Sequence, residues 1–417
     1  MTFQPPSKSL TPRDYQFIAL VTILFLVIST ALVYANLTLA GGGDFYVQWV
    51  ASRGFIFEKI DPYSGEVPAR VQELVYGDSA KAGDEPYILD TPFQILLLYF
   101  PFSLLSDPQL ARALYTLILE LALFALALLS LRLTDWEVPR YFSALFLFYC
   151  VFNFYAFQAI MEASPVLLLS LIYAGILLAL HTGQDELAGA LMAVSLYYWE
   201  VGGPFLILVA WWAYRQRRSR VFAGLGMITF VLLAVSFLLY PNWIIPYLRA
   251  GTNNLRADFG FSTHEIFAHL FPSQNGIFAW IFIGILGIAL GYEWNAAVQS
   301  DDRRFYWTAC LSLAAAPLLG FRTEMEHLAV LVIPFALIFA IIHDRWNRNG
   351  NLLTILLWLI ILLIPWAVFF FALPLFGLIV EESIFLFLPL FTVIGLYWIR
   401  WWAIRPPRIW SDLAPRR

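Results

Sequence analysis

An all-α polytopic membrane protein is the fold that this 417-residue sequence predicts, and three observations predict it. Hydrophobic residues make up 61% of the chain. Charged residues make up only 13%, where a soluble chain carries about a quarter. The mean hydropathy is +0.73, and the apolar residues gather into stretches near the length that crosses a bilayer as a helix. This composition excludes an ordinary soluble enzyme. A disulfide-stapled secreted scaffold is excluded too, because the only cysteines, Cys150 and Cys310, sit inside apolar runs. A net charge of −4 argues against nucleic acid as a partner.

In chain order, the apolar stretches predict twelve spans, over 16–40, 108–131, 141–158, 164–181, 187–199, 201–214, 219–240, 276–294, 303–321, 327–343, 351–373 and 383–403. The first follows a basic, proline-containing leader without a small-residue cleavage pattern, so it reads as a retained anchor. The spans 187–199 and 201–214 are divided only by Glu200 and are expected to turn at Gly202, Gly203 and Pro204. Segment 92–105 is short and broken by Pro101. If it crossed, Arg215, Arg217, Arg218 and Arg220 would face outward, against the positive-inside rule. It is therefore expected to be re-entrant or interfacial. Both termini then lie in the cytoplasm, and residues 1–417 form one integral domain of the cell membrane.

On this topology the elaborated loops lie outside. Loop 41–107 is expected to carry juxtamembrane helices and the re-entrant segment, and 241–275 is the second outer loop. Residues 41–91 of the first are acidic: Asp44, Glu58, Asp61, Glu66, Glu73, Asp78, Asp84, Glu85 and Asp90 stand against Arg53, Lys59, Arg70 and Lys81. Cytoplasmic connections are short and basic. A protein that elaborates one face is expected to work there. No internal repeat suggests the inverted halves of a transporter.

Asp44 is the first candidate for chemistry. It follows Gly41, Gly42 and Gly43, and 44–57 reads as an amphipathic helix on the membrane with Asp44, Gln48 and Ser52 on one stripe. A carboxylate at that boundary suits a general base toward a lipid-borne substrate, and equally an ordinary helix N-cap. The second candidate is the charged run Arg322, Thr323, Glu324, Met325, Glu326, His327 between two spans. Arg322 and His327 suit a phosphate, although pairing of Arg322 with Glu324 or Glu326 in an exposed turn fits the same residues. Glu162 and Glu200 stand at outer span ends, with Gln158 one turn before Glu162. All three suit sugar hydroxyls, or a solvated turn. His264 and Arg256 lie in the second outer loop. The histidines are too loosely spaced for a metal signature, so no metal is expected. No phosphate loop or nucleophile elbow is present.

The order of these features resembles glycosyltransferase family 87, membrane enzymes of the GT-C fold, over about residues 15–345. The resemblance opens with Asp44-Phe45-Tyr46 after the first span and continues through Asp61-Pro62-Tyr63 and the Tyr87-to-Pro92 segment. Gln158, the helix start Gln184 to Gly189, Gly260-Phe261-Ser262, and the stretch from Pro317 to His327 complete it. Where the family commonly carries a Lys-Pro pair, this chain has Glu200 and, four residues on, Pro204.

The resemblance implies an inverting transferase that moves a mannose-like hexose or pentose from a polyprenyl-phosphate donor to a lipid or glycan acceptor on the outer face. Asp44 would be the general base, and His327 with Arg322 would meet the leaving phosphate. Glu324, Glu326, Gln158, Glu162, Glu200, His264, Arg256 and Tyr63 would bind substrate. No cofactor is implied, the lipid-linked sugar being a co-substrate. The alternative from the residues is a transporter or lipid flippase using Glu162 and Glu200.

Overall fold

The computed structural model describes residues 12–39, 41–81, 84–136, 139–254, 260–272 and 276–405. Among these residues the regular structure is helical, apart from a single antiparallel bridge between Phe261 and Thr323. The helices are α1 (Pro12–Thr38), α2 (Gly43–Arg53), α3 (Glu66–Tyr76), α4 (Phe93–Ser103), α5 (Pro108–Leu133), α6 (Arg140–Phe152) and α7 (Phe154–Met161). There follow α8 (Val166–His181), α9 (Asp185–Ser195), α10 (Trp199–Arg215), α11 (Ser219–Leu239), α12 (Ile244–Asn254) and α13 (Thr263–Leu270). The last are α14 (Ile277–Val298), α15 (Asp302–Ala315), α16 (Val332–Arg345), α17 (Asn347–Ala367), α18 (Leu373–Phe376) and α19 (Leu378–Ala403).

Among the described residues, seven helical stretches are long and apolar enough to cross a bilayer: Tyr15–Thr38, Pro108–Leu133, Ser219–Leu239, Ile277–Val298, Glu326–Arg345, Asn349–Leu375 and Val380–Ala403. The pair α6 and α7, bent by 52°, makes an eighth if it is one broken span. Asn153 causes the bend. Its backbone leaves the helical region, and its side chain accepts the Tyr155 N–H at 3.0 Å to start α7. The remaining expected spans are the helices α8, α9, α10 and α15, of 16, 11, 17 and 14 residues. An 11-residue helix rises only about 16 Å, roughly half the hydrocarbon thickness.

The stretch Glu326–Arg345 is the centre of the bundle, with 89% of its most apolar window buried, whereas α1 is peripheral with 6%. Close approach of α9 and α11 depends on two glycines. A Cβ at Gly189 would stand 1.9 Å from the Val221 carbonyl oxygen, and one at Gly224 would stand 2.1 Å from that of Glu186. The turn expected at Gly202–Pro204 lies earlier, between the end of α9 and Trp199. Gly202 and Gly203 instead sit inside α10 under the rings of Tyr173 and Trp199, where a Cβ would come within 2.3 Å.

Residues 44–57 differ from the surface helix expected of them. Phe45 through Ser52 are buried, because α2 finds partners on several sides. Phe45 stacks on Tyr115 of α5 at 5.0 Å, and α4 lies alongside. Gln48 donates to the Thr91 hydroxyl at 3.0 Å, Trp49 to the Phe102 carbonyl at 3.1 Å and Ser52 to that of Leu96 at 3.3 Å. The apolar segment expected to re-enter is therefore an 11-residue helix bound along α2.

Far from these loops, buried Glu293 of α14 accepts from Arg304 of α15 at 3.1 Å and from the Arg400 Nε of α19 at 2.9 Å. Removing it leaves two arginines unpaired. Glu293→Ala is expected to destabilise the protein by about 2–4 kcal/mol, since both arginines keep some solvent contact. A denaturation midpoint in detergent equal to that of the unaltered protein would contradict this.

Candidate active site

The site begins at the glycine triplet after α1. Gly41 and Gly42 have φ of +121° and +85°, which L side chains rarely adopt, and a Cβ at Gly43 would come within 2.3 Å of the Tyr87 ring. These residues lead into α2 and place Asp44 in its first turn. The facing wall is the segment 85–90. Gln72 of α3 holds it by donating to the Pro86 carbonyl at 2.9 Å, and Tyr87 has a left-handed φ of 52° with its ring against Tyr76.

The third wall is the charged run before α16. Phe261 and Thr323 exchange two backbone hydrogen bonds of 2.9 Å, tying that run to the second long loop. Ser262 caps α13 by accepting the Glu265 N–H, and Glu265 accepts from Arg322 at 2.7 Å. A 3₁₀ turn over Glu326–Leu331 then buries Glu326 and His327. The His327 ring meets that of Tyr198 edge-on at 5.6 Å.

These elements enclose a cavity of about 580 Å³ lined by Asp44, Gln48, Glu85, Asp90, Tyr198, Trp199, Glu200, Tyr247, Arg322, Glu324 and His327, among others. Ligand atoms of Asp44, Glu324, Glu326 and His327 all lie within 4.8 Å of one another. Three carboxyls this close must share protons or a cation. The spacing is one that a single divalent ion spans, with oxygen donors and one imidazole.

Burial raises the Asp44 carboxyl well above its usual range, and the neighbouring Glu324 charge raises it further. The Ser164 hydroxyl works the other way. Glu85 is pushed up to about 10, by burial first and then by Glu324 and Asp44. Glu162 is also raised by burial, opposed by the Gly43 N–H and by Arg112.

Of the residues expected to form a site, Asp44, Glu200, Arg322, Glu324 and His327 line this one cavity, with Glu326 beside it. Glu162 lies beneath Asp44, accepting the Gly43 N–H at 3.4 Å. Tyr63 stands outside the lining and donates to the Thr91 carbonyl at 2.9 Å. His264 packs against Trp280 at 5.7 Å, and Gln158 is in α7, away from the lining. Arg256 lies outside the described residues. Sequence reasoning counted Glu85 and Asp90 only as loop acidity and did not single out Tyr198, Trp199 or Tyr247. The lone signal for them was aromatic residues beside Glu200 and the Tyr87 segment. Comparison with known protein families, with characterised proteins and with solved structures finds no match.

The raised carboxyls make stability pH-dependent. Each binds its proton more tightly folded than unfolded, so its contribution is fully present below the ordinary carboxyl range and is lost as pH rises through the folded value. The thermal midpoint is expected to fall between pH 5 and pH 10, with Glu85→Gln flattening the upper part of that fall. Parallel profiles for the two proteins would show that Glu85 is not the titrating group.

Proposed function

We propose that this protein is a polytopic glycosyltransferase of the cell membrane that moves a sugar from a polyprenyl-phosphate donor to an acceptor hydroxyl. The observation that carries the reading is the convergence on one cavity of an up-shifted carboxyl, Asp44, with an arginine and a histidine from a distant part of the chain. In the proposed reaction Asp44 takes the acceptor hydroxyl proton. The acceptor oxygen bonds to the anomeric carbon, and the bond from that carbon to the phosphate oxygen breaks with inversion. The departing lipid phosphate keeps the electron pair, and its charge is met by Arg322 and His327. An up-shifted carboxylate is a stronger base than a solvated one, which suits the task. Glu85, neutral at pH 7, spares the anionic donor one repulsion.

Twelve crossings, a GT-C arrangement, both termini in the cytoplasm and a cavity facing outward belong to the same reading. A cysteine at position 80, in place of Ala80, is then expected to react with an impermeant thiol reagent on intact cells, the native Cys150 and Cys310 being buried. Labelling only after permeabilisation would overturn the orientation.

The direct test incubates purified protein with radiolabelled polyprenyl-phosphate mannose, arabinose or glucose and a lipid extract as acceptor. A labelled product is expected, lowered about 10²–10⁴-fold by Asp44→Asn with donor binding retained. The rate should rise with pH along an acid limb above the ordinary carboxyl range, because Asp44 must be ionised to act. Undiminished turnover in Asp44→Asn would remove the general-base assignment. Transport is the second reading, and one observation favours it. A cavity of about 480 Å³ at the opposite helix ends is lined by Asp135, His181, Asp302, Arg303 and Asp344 as well as apolar side chains. On that reading Glu200→Gln alters uptake into vesicles and Asp44→Asn does not.

A further inference from the structure

Beneath the base lies a buried cation that the proposed reaction does not use. Arg112 stands one turn inside α5 and is 2% exposed, too deep to act as a surface charge at a helix start. Its guanidinium reaches two helix C-termini at once. Nη1 donates to the Leu39 carbonyl at 3.0 Å, just past the end of α1, and Nη2 donates to the Met161 carbonyl, the last residue of α7, at 3.1 Å. Carbonyls at a helix C-terminus lack intrahelical donors and carry the negative end of the helix dipole. A planar fork that binds both fixes their relative position, which a point charge cannot do.

The glycine hinge is moulded on this side chain. A Cβ at Gly42 would stand 2.6 Å from Arg112 Cδ and Nε, and one at Gly41 would stand 3.2 Å from Nη2. Four residues after Gly42, the Tyr46 ring lies 6.0 Å from the guanidinium carbon. Glu162, whose charge attracts Arg112, holds the Gly43 N–H. Asp44 therefore follows three glycines and precedes an aromatic ring, and each neighbour rests on Arg112 or Glu162.

We propose that Arg112, with Glu162, is a positioning residue that locks the glycine hinge between α1 and α2 and so sets where Asp44 stands in the cavity. The inference rests on the reading of Asp44 as the base. It is read in two ways, one of which is independent of activity. Arg112→Lys keeps the charge but loses the fork. It is expected to lower kcat roughly 10–100-fold, the scale of a misplaced catalytic group, with the donor KM changed less than about threefold. In the same variant, hydrogen–deuterium exchange over residues 41–47 is expected to quicken several-fold while α16 is unaffected. Wild-type kcat, or a loss confined to donor KM, would overturn the proposal, as would unchanged exchange in the hinge.

If Arg112→Lys does not fold, Glu162→Gln carries the same test. It keeps an acceptor for the Gly43 N–H and removes the charge facing Arg112. A several-fold loss in kcat with quickened hinge exchange is expected, and wild-type behaviour in both would overturn the proposal. Should Asp44→Asn prove active, the base reading fails on its own, while exchange still reports whether Arg112 holds the hinge.

Discussion

Gathering carboxyl groups around one partly enclosed cavity is the constraint on which the rest of this site depends. Asp44, Glu324 and Glu326 bring oxygens within 4.8 Å of one another, and Glu85, Asp90 and Glu200 line the same space. Ionised together and desolvated, such groups would repel strongly, so part of the charge has to be removed by protons or offset by a partner. Glu85 shows the first solution, with a proton held up to about pH 10. At the rim Arg322 pairs with Glu265, and that pair anchors the charged run to α13. A rigid frame is the consequence. Carboxyls that repel stay together only if the backbone around them cannot relax, and glycine contacts, the Phe261–Thr323 bridge and the 3₁₀ turn at Glu326 supply that stiffness.

The same rule, that ionisable groups in apolar surroundings need partners, shapes the rest of the bundle. Glu293 is shared by two arginines from different helices, and Arg218 reaches both the Leu180 carbonyl and Asp185 where α8 and α10 end and α9 begins. The Arg400 contact joins α14 to α19 at the far end of the chain. Elsewhere the packing is apolar and close, with α9 and α11 touching through glycine. Polar ties thus mark the helix ends, and small residues mark the interior contacts.

Much of this was legible from pattern alone. Apolar length located the helices, and charge at span boundaries singled out Asp44, Arg322, Glu324 and His327, which the fold collects although they stand far apart in the chain. What was not legible depends on tertiary partners. Residues 44–57 have the alternation of a surface helix, and nothing local announces that α4 and α5 will cover both sides. Glu85 looks like one more acid in a solvated loop until Gln72 and the left-handed Tyr87 turn its segment inward. Arg112 reads as a charge near a helix start because its acceptors, Leu39 and Met161, lie 73 and 49 residues away. Gly202 and Gly203 resemble a turn, yet here they make room for Tyr173 and Trp199 within a helix.

Two of the up-shifted carboxyls facing the cavity, Asp44 and Glu85, stand in different environments. Both Asp44 and Glu85 are raised by burial and by Glu324, so on those grounds alone either could carry a proton. Only Asp44 stands in the first turn of a helix, where the dipole favours a negative charge, and only Asp44 has the Ser164 hydroxyl working to lower its value. The helix end and the Ser164 hydroxyl therefore work against burial at Asp44, whereas every cause acting on Glu85 holds its proton more tightly. In the proposed reaction an anionic donor would add negative charge that raises both groups further. Glu85 stays neutral, and Asp44 is the stronger base wherever it is ionised, at the cost of a smaller ionised fraction. On that ground the proposed reaction assigns the proton to Asp44, and the crowding that makes the cavity costly to form also sharpens the group that would act in it.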